Sequence, residues 1–244
     1  LQYGTGDPGG GRSPPGDRGN MKKTEIWSFI GAGGKSTLIL LTGAEKARQG
    51  KKVLVTATTH TAFTTEDLER AGGILLLGGD GTLAAAALER YGFAAAVREA
   101  DMEPGRQQGL SEGELEKAMR AADLVLVEAD GSRRRPFKAP AEYEPAVHPA
   151  SSRILLIAGL TALDAPIKEN CHRTEEIIRL TGRNRDQILR TEDMAAVIRE
   201  GYLEKCSRLW PGVPVTVILN QADTRELREK GMEVQKRLSE SAAE

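Results

Sequence analysis

Residues 25–50 read EIWSFIGAGGKSTLILLTGAEKARQG, and this stretch decides the fold. Ile26–Ile30 is a short apolar run of strand length, Gly31–Gly34 is a glycine turn, and Lys35–Gln49 carries the composition of a helix that Gly50 ends. Glycines at 31, 33 and 34 permit positive φ and close backbone approach, so several N–H groups can converge on one anion, with the positive end of the following helix aimed at the same place. Lys35 adds a mobile charge for phosphate oxygens, and the Ser36 hydroxyl stands where it can ligate Mg²⁺. Phe29 occupies the position where the longer form of this loop has its first glycine, so the motif is the shorter G-x-x-G-K-S-T, Gly31 to Thr37. Gly31, Ala32, Gly33, Gly34, Lys35, Ser36 and Thr37 are therefore the expected phosphate cradle of a nucleotide site. The plainer alternative is a glycine turn that merely begins a helix.

Outward from this unit the chain alternates apolar runs with helical stretches. Lys52–Ala57, Leu124–Val127, Arg153–Ala158 and Val215–Leu219 are continuous apolar strands, and Ile74–Leu77 is a shorter one. A Gly-Gly-Asp-Gly turn at 78–81 leads into an Ala-rich helix ending near Arg90. Ser111 with Glu114 has the spacing of a capping box opening a helix to about Ala122, and Thr224 to about Leu238 is an amphipathic helix. Strands without polar alternation, separated by helices, predict an α/β fold: three layers around a mostly parallel sheet, of the P-loop NTPase type. The 163–214 stretch reads as a helical insertion before the last strand. Residues 1–20 are rich in Gly, Pro and polar residues and read as a flexible tail, with Met21 as the natural start; residues 21–244 then form a single nucleotide-binding domain.

Four further segments face the same end of such a sheet. Strand 124–127 delivers Glu128 and Asp130 to its C-terminal edge, where ligands of open α/β sheets sit. If the strand continued, both carboxylates would share a face, one serving the metal shell and one orienting an attacking water. Lys35, Glu128 and Asp130 are the candidate catalytic set. Strand 52–57 runs into Thr58, Thr59, His60 and Thr61, where Thr58 or Thr59 can join Ser36, Glu128 and Asp130 around a metal ion, and His60 can reach substrate or phosphate. Arg133, Arg134, Arg135 and Lys138 follow the acidic strand end, a cluster suited to anions; a solvated basic loop is the alternative. Asn220-Gln221-Ala222-Asp223 has the spacing of a guanine-reading N-K-x-D motif with Gln221 in place of lysine. Asp223 there is placed to read the base and Asn220 to meet the base or brace the loop; a helix cap is the alternative.

Composition narrows the classes. Lys+Arg 34 against Asp+Glu 35 leaves a net charge of −1, and aromatics are 4%. Neither a nucleic-acid coat nor a base-stacking platform fits that balance. No apolar run approaches the ~20 residues of a membrane span, which predicts a cytoplasmic protein with neither a membrane nor a nucleic-acid partner. Two cysteines, Cys171 and Cys206, are too few for a disulfide framework or a closed zinc site, and give little support to a sulfur or selenium carrier.

GAGGKST (31–37), TATTHTAF (56–63), VEADGSRRRPFKAPAEYEP (127–145) and VILNQAD (217–223), in this order, resemble the selenium-dependent molybdenum hydroxylase accessory proteins, the YqeC family. The segment around Cys171-His172-Arg173 also looks like the family's central part. The departures are Ser36, Phe137 and Gln221. The resemblance implies a role in completing hydroxylases of the xanthine-dehydrogenase type, with a client hydroxylase or other maturation factors as partners. Three readings follow. The first is a Mg²⁺-dependent accessory protein that binds ATP or GTP and hydrolyses it slowly. The second is a kinase or nucleotidyl-transferring enzyme acting on an anionic molybdenum-cofactor-like substrate. The third is a docking module that binds nucleotide without turnover. Oligomeric state is open at this stage.

Overall fold

The apolar strands of this chain have no polar face to give to water, so both sides must be covered. The computed structural model describes residues 24–100 and 103–240 and shows how this is done. In chain order the elements are β1 (Glu25–Gly31), α1 (Lys35–Arg48), β2 (Val53–Ala57), α2 (Thr65–Arg70), β3 (Ile74–Leu77), α3 (Gly81–Tyr91), β4 (Phe93–Ala100), β5 (Glu103–Gly109), α4 (Glu112–Met119) and β6 (Leu124–Glu128). There follow β7 (Phe137–Lys138), β8 (Arg153–Gly159), α5 (Ile167–Asn170), β9 (Cys171–His172), α6 (Thr174–Thr181), α7 (Thr191–Ala196), α8 (Glu204–Leu209), β10 (Val215–Asn220) and α9 (Arg225–Glu240). The tail read at residues 1–20, and Met21, lie outside the described residues.

The main sheet runs β10-β8-β1-β6-β2-β4-β3, all parallel, with β5 antiparallel to β4. Side chains alternate between two cores. Leu124 and Leu126 of β6 pack with Phe29, Ile39 of α1 and Leu68 of α2 on one face. Val125 and Val127 pack with Ile30, Leu88 of α3 and Val234 of α9 on the other. The result is the expected three-layer α/β arrangement of a mostly parallel sheet, with the helical stretch inserted before the last strand. β1 and β6 are central, and their C-terminal ends open where strands diverge to β2 on one side and β8 on the other, the crevice position of such sheets.

Several sequence expectations change. The Ala-rich helix ends near Arg90 as expected, but an unforeseen interior strand follows it: Gly92, at φ 73°, ends α3 and lets Phe93–Ala100 turn back as β4. The Ser111 capping box does not form, because the Glu114 carboxylate accepts a hydrogen bond from Gly81 N–H at 2.6 Å and so ties α4 to the start of α3. β10 is half-buried rather than buried, as the edge strand. In the 163–214 insertion, α7 passes into α8 through a π-helical segment, Val197–Leu203. A second, two-stranded sheet pairs β7 with β9 in parallel, placing Lys138 beside His172.

Candidate functional site

The glycine turn is shaped as its composition requires. Gly31, Gly33 and Gly34 have φ of 84°, 93° and 101°. A Cβ on Gly33 would lie 2.5 Å from Gly159 Cα, and one on Gly34 would lie 2.5 Å from Asn220 Nδ2. Asn220 Nδ2 donates to the Gly33 carbonyl at 2.7 Å, so Asn220 braces the loop from the end of β10. Gly33, Gly34, Lys35, Ser36 and Thr37 then line a cavity of about 1140 Å³. Gly31 and Ala32 sit beneath it: Ala32 N–H bonds the Ile157 carbonyl at 2.9 Å, which pins the loop to β8.

Lys35 and Glu128 make the cavity floor, 4% and 6% exposed. Lys35 Nζ donates to the Gly31 carbonyl at 2.8 Å and lies 3.8 Å from Glu128 Oε1. Burial lowers the pKa of this ammonium, while the Glu128 and Asp130 carboxylates pull it back up. Thr61 Oγ1 donates to Glu128 Oε2 at 2.6 Å, whereas Ser36 Oγ approaches the same carboxylate only at 3.4 and 3.5 Å. The Ser36 hydroxyl is thus weakly committed.

Asp130 is placed differently from the expectation of a shared face. β6 ends at Glu128, so the alternation of a strand does not carry to residue 130. The Asp130 carboxylate is 0% exposed and off the cavity wall. It receives Lys138 Nζ at 2.5 Å, Gly31 N–H at 3.1 Å and the Tyr202 hydroxyl at 3.3 Å. Burial pushes this carboxyl up against the pull of Lys138 and Lys35, and pushes the Tyr202 phenol well above its ordinary range. Lys138, also 0% exposed, bonds Glu144 Oε2 at 2.9 Å as well. It is a structural cation behind the wall rather than a contact for a ligand. Burial opposes ionisation of Glu144, yet hydrogen bonds from Arg173, Ala141 N–H and Lys138 hold its carboxyl at about 2.

Thr59, His60, Arg133 and Arg134 line the cavity. Thr58 does not: its Oγ1 turns away to the Ala146 carbonyl at 2.5 Å. Asp223 is exposed and off the wall; Gln221, at φ 61°, lines the cavity in its stead and takes a hydrogen bond from Thr161 Oγ1 at 2.5 Å. Thr61, Tyr143, Glu144, His172 and Arg173, to which sequence reasoning assigns no site role, all line the cavity. Their signal was present in the AEYEP and Cys-His-Arg segments, but nothing local says that β9 pairs with β7. Cys171 points inward, and burial raises its thiol to about 12 and that of Cys206 to about 11, leaving two inert thiols.

Strain and unmet polar groups concentrate on this wall. Of the five non-glycine residues at positive φ among the described residues, Arg133, Arg134, Arg173 and Gln221 line the cavity. Thr59 Oγ1, Gln107 Oε1 and Arg173 Nε are buried polar atoms without a hydrogen-bond partner, and their residues line it too. Among the described residues no group of three or more His, Cys, Asp or Glu is placed to hold a metal by itself, and no helix is long and apolar enough to cross a membrane.

Comparison with known proteins agrees with the sequence motifs. The chain is 29% identical over 204 residues to the uncharacterized protein YqeC of Escherichia coli (strain K12), covering 80% of this chain and 77% of that one. Among solved structures it is similar to HypB from Helicobacter pylori in complex with nickel, at 16% identity, covering 89% and 88% of the two chains with a TM-score of 0.33. It is also similar to FtsY from Mycoplasma mycoides, at 12% identity, 90% and 70% coverage and a TM-score of 0.31. Scores this low leave the fold to rest on its own topology. The family model described as YqeC protein matches residues 27–175, the span that runs from the glycine turn through the arginine loop to β9, and the chain belongs to that family.

Proposed function

We propose that the protein is a Mg²⁺-dependent nucleoside-triphosphate-binding accessory factor that hydrolyses ATP or GTP slowly. The observation that carries this is the loop itself: three positive-φ glycines at the end of β1, braced by Asn220, opening with the N-terminus of α1 onto a large cavity floored by Lys35 and Glu128. Gly33 to Thr37 would take the phosphates through backbone N–H groups, with Lys35 released from the Gly31 carbonyl to meet them. The donor set fits Mg²⁺ bound together with a nucleotide. Ser36 offers a weakly held hydroxyl, Glu128 a carboxylate and Thr59 an unsatisfied buried oxygen. Mg²⁺ is usually held by one or two such groups, the remainder being phosphate oxygens and water. When bound it would offset charge on the phosphates. Glu128 is the candidate for orienting a water; Asp130 acts at one remove, by holding Gly31 N–H. Membership of the YqeC family supports a role in maturation of selenium-dependent molybdenum hydroxylases, with a client hydroxylase or another maturation factor as partner.

Calorimetric titration of the full chain with GTP, ATP and CTP, with and without Mg²⁺, tests the reading. Magnesium-dependent binding of at least one triphosphate is expected. Lys35→Ala should weaken it at least tenfold, the ~1.4 kcal/mol minimum for losing a charge-assisted contact. Unchanged affinity in the variant, or no binding to any triphosphate, overturns it.

A further inference from the structure

The cavity carries more positive charge than one nucleotide uses. Among the described residues Lys35, Arg133, Arg134, Arg135 and Arg173 line it with two carboxylates, Glu128 and Glu144. A magnesium-bound triphosphate, with a net charge of about −2, offsets only part of the resulting excess. Both carboxylates are already engaged: Glu128 by Thr61 and Lys35, Glu144 by Lys138 and Arg173. The exposed guanidinium groups of Arg133, Arg134 and Arg135 have no carboxylate partner among the described residues. Their backbone is held in place regardless, since the Pro136 carbonyl accepts Gly159 N–H at 3.0 Å, packs over Gly33, and leads into β7.

On the other side of β7, Arg173 is held by Glu144 at 3.0 Å and by the Tyr143 hydroxyl at 2.7 Å, with its Nε buried and unpaired. The Tyr143 ring is 75% exposed, with the Arg173 guanidinium 5.5 Å from its centre. His172, on a strand paired with Lys138, lines the same cavity. Two positive-φ arginines in the loop and a third at Arg173 mark backbone whose strain the surrounding structure maintains. Planar guanidinium groups suit bidentate phosphate recognition.

We infer that Arg133, Arg134, Arg135 and Arg173 form a second anion site beside the phosphate loop, which takes a small molecule bearing a phosphate or diphosphate while the nucleotide is bound. This rests on the nucleotide reading above and adds a second ligand to the same cavity. Tyr143 offers that ligand an exposed aromatic face. The arginine loop then belongs to the second ligand, and Gly33–Thr37 to the nucleotide.

The test is calorimetric titration of inorganic pyrophosphate into the full chain already saturated with its preferred Mg²⁺-triphosphate. The wild-type chain should bind one equivalent without releasing nucleotide. The double variant Arg134→Ala/Arg135→Ala should lose at least tenfold in pyrophosphate affinity and less than threefold in nucleotide affinity. Arg173→Lys, which keeps the charge but loses the fork, should weaken pyrophosphate binding severalfold. Displacement of nucleotide by pyrophosphate, an equal loss of both ligands in the double variant, or no pyrophosphate binding at all overturns the second site. The Lys35→Ala chain separates the two claims. If wild type binds no triphosphate but Lys35→Ala still binds pyrophosphate through Arg134 and Arg135, the nucleotide reading falls and the arginine site stands.

Discussion

Two carboxylates leave β6 two residues apart and meet opposite surroundings. Glu128 reaches the cavity floor, where Thr61, Lys35 and the loosely held Ser36 surround it with groups a ligand can compete for. Asp130 is enclosed, with Lys138, Gly31 N–H and Tyr202 filling its hydrogen-bonding positions. The first is arranged to exchange partners and the second to keep them. Acidic residues at a strand end do not by themselves mark a metal shell; what matters is whether the partners of each can be replaced by those of a ligand.

The sharpest way to break this contrast is to remove the cation behind the wall. Lys138→Met leaves Asp130 buried, and Glu144 half-buried, without their shared partner and should cost about 3–5 kcal/mol in denaturant unfolding. Glu128→Gln should cost less than half of that, and equal losses would erase the distinction. Acid titration comes next. The carboxyl of Glu144 is held at about 2, below its ordinary 4.5, so the stability it contributes is fully present above pH 4.5 and is lost as pH falls toward 2. Glu144→Gln should flatten the unfolding curve across that window, and an unchanged acid limb would remove Glu144 from the buried network. Glu128 carries a smaller expectation. In magnesium-free buffer Glu128→Gln should bind triphosphate a fewfold more tightly, because an internal anion beside Lys35 and Ser36 no longer competes. Weaker binding there would make Glu128 a partner of the ligand rather than its rival. The smallest effect is none: the thiols of Cys171 and Cys206, raised to about 12 and about 11, should resist iodoacetamide at pH 8 in the folded chain, as read by intact mass.

What was legible in the sequence follows the range of the interactions. The glycine loop is a local structure, written in seven consecutive residues, and the buried parallel strands announce themselves by lacking a polar face. β4 was hidden because Ala94, Ala95 and Ala96 repeat the composition of the helix before them; only the positive φ of Gly92 separates the two. The loss of the Ser111 cap could not be read locally, since Glu114 is drawn 33 residues away to Gly81. Placing Asp130 required knowing that β6 stops at Glu128 and that a tyrosine 72 residues later comes back to it. The spacing of Asn220 suits a brace or a base contact, and its bond to the Gly33 carbonyl is the brace. The arginine run was visible as chemistry, but the two-residue strand that carries Lys138 behind the wall, apart from the arginines, was not.

The π-helical stretch Val197–Leu203 sets the phase of everything after it. An α-helix advances by roughly 100° per residue, and a π turn absorbs one extra residue without ending the helix. Tyr202 faces Asp130 from within this stretch, and Cys206 of α8, four residues on, is packed in the same core. The extra residue therefore works as an angular spacer. With it, the core face of α7 at Met194 and the Tyr202 hydroxyl that reaches the glycine loop through Asp130 are both correctly turned; a chain shortened by one residue there has to give up one or the other.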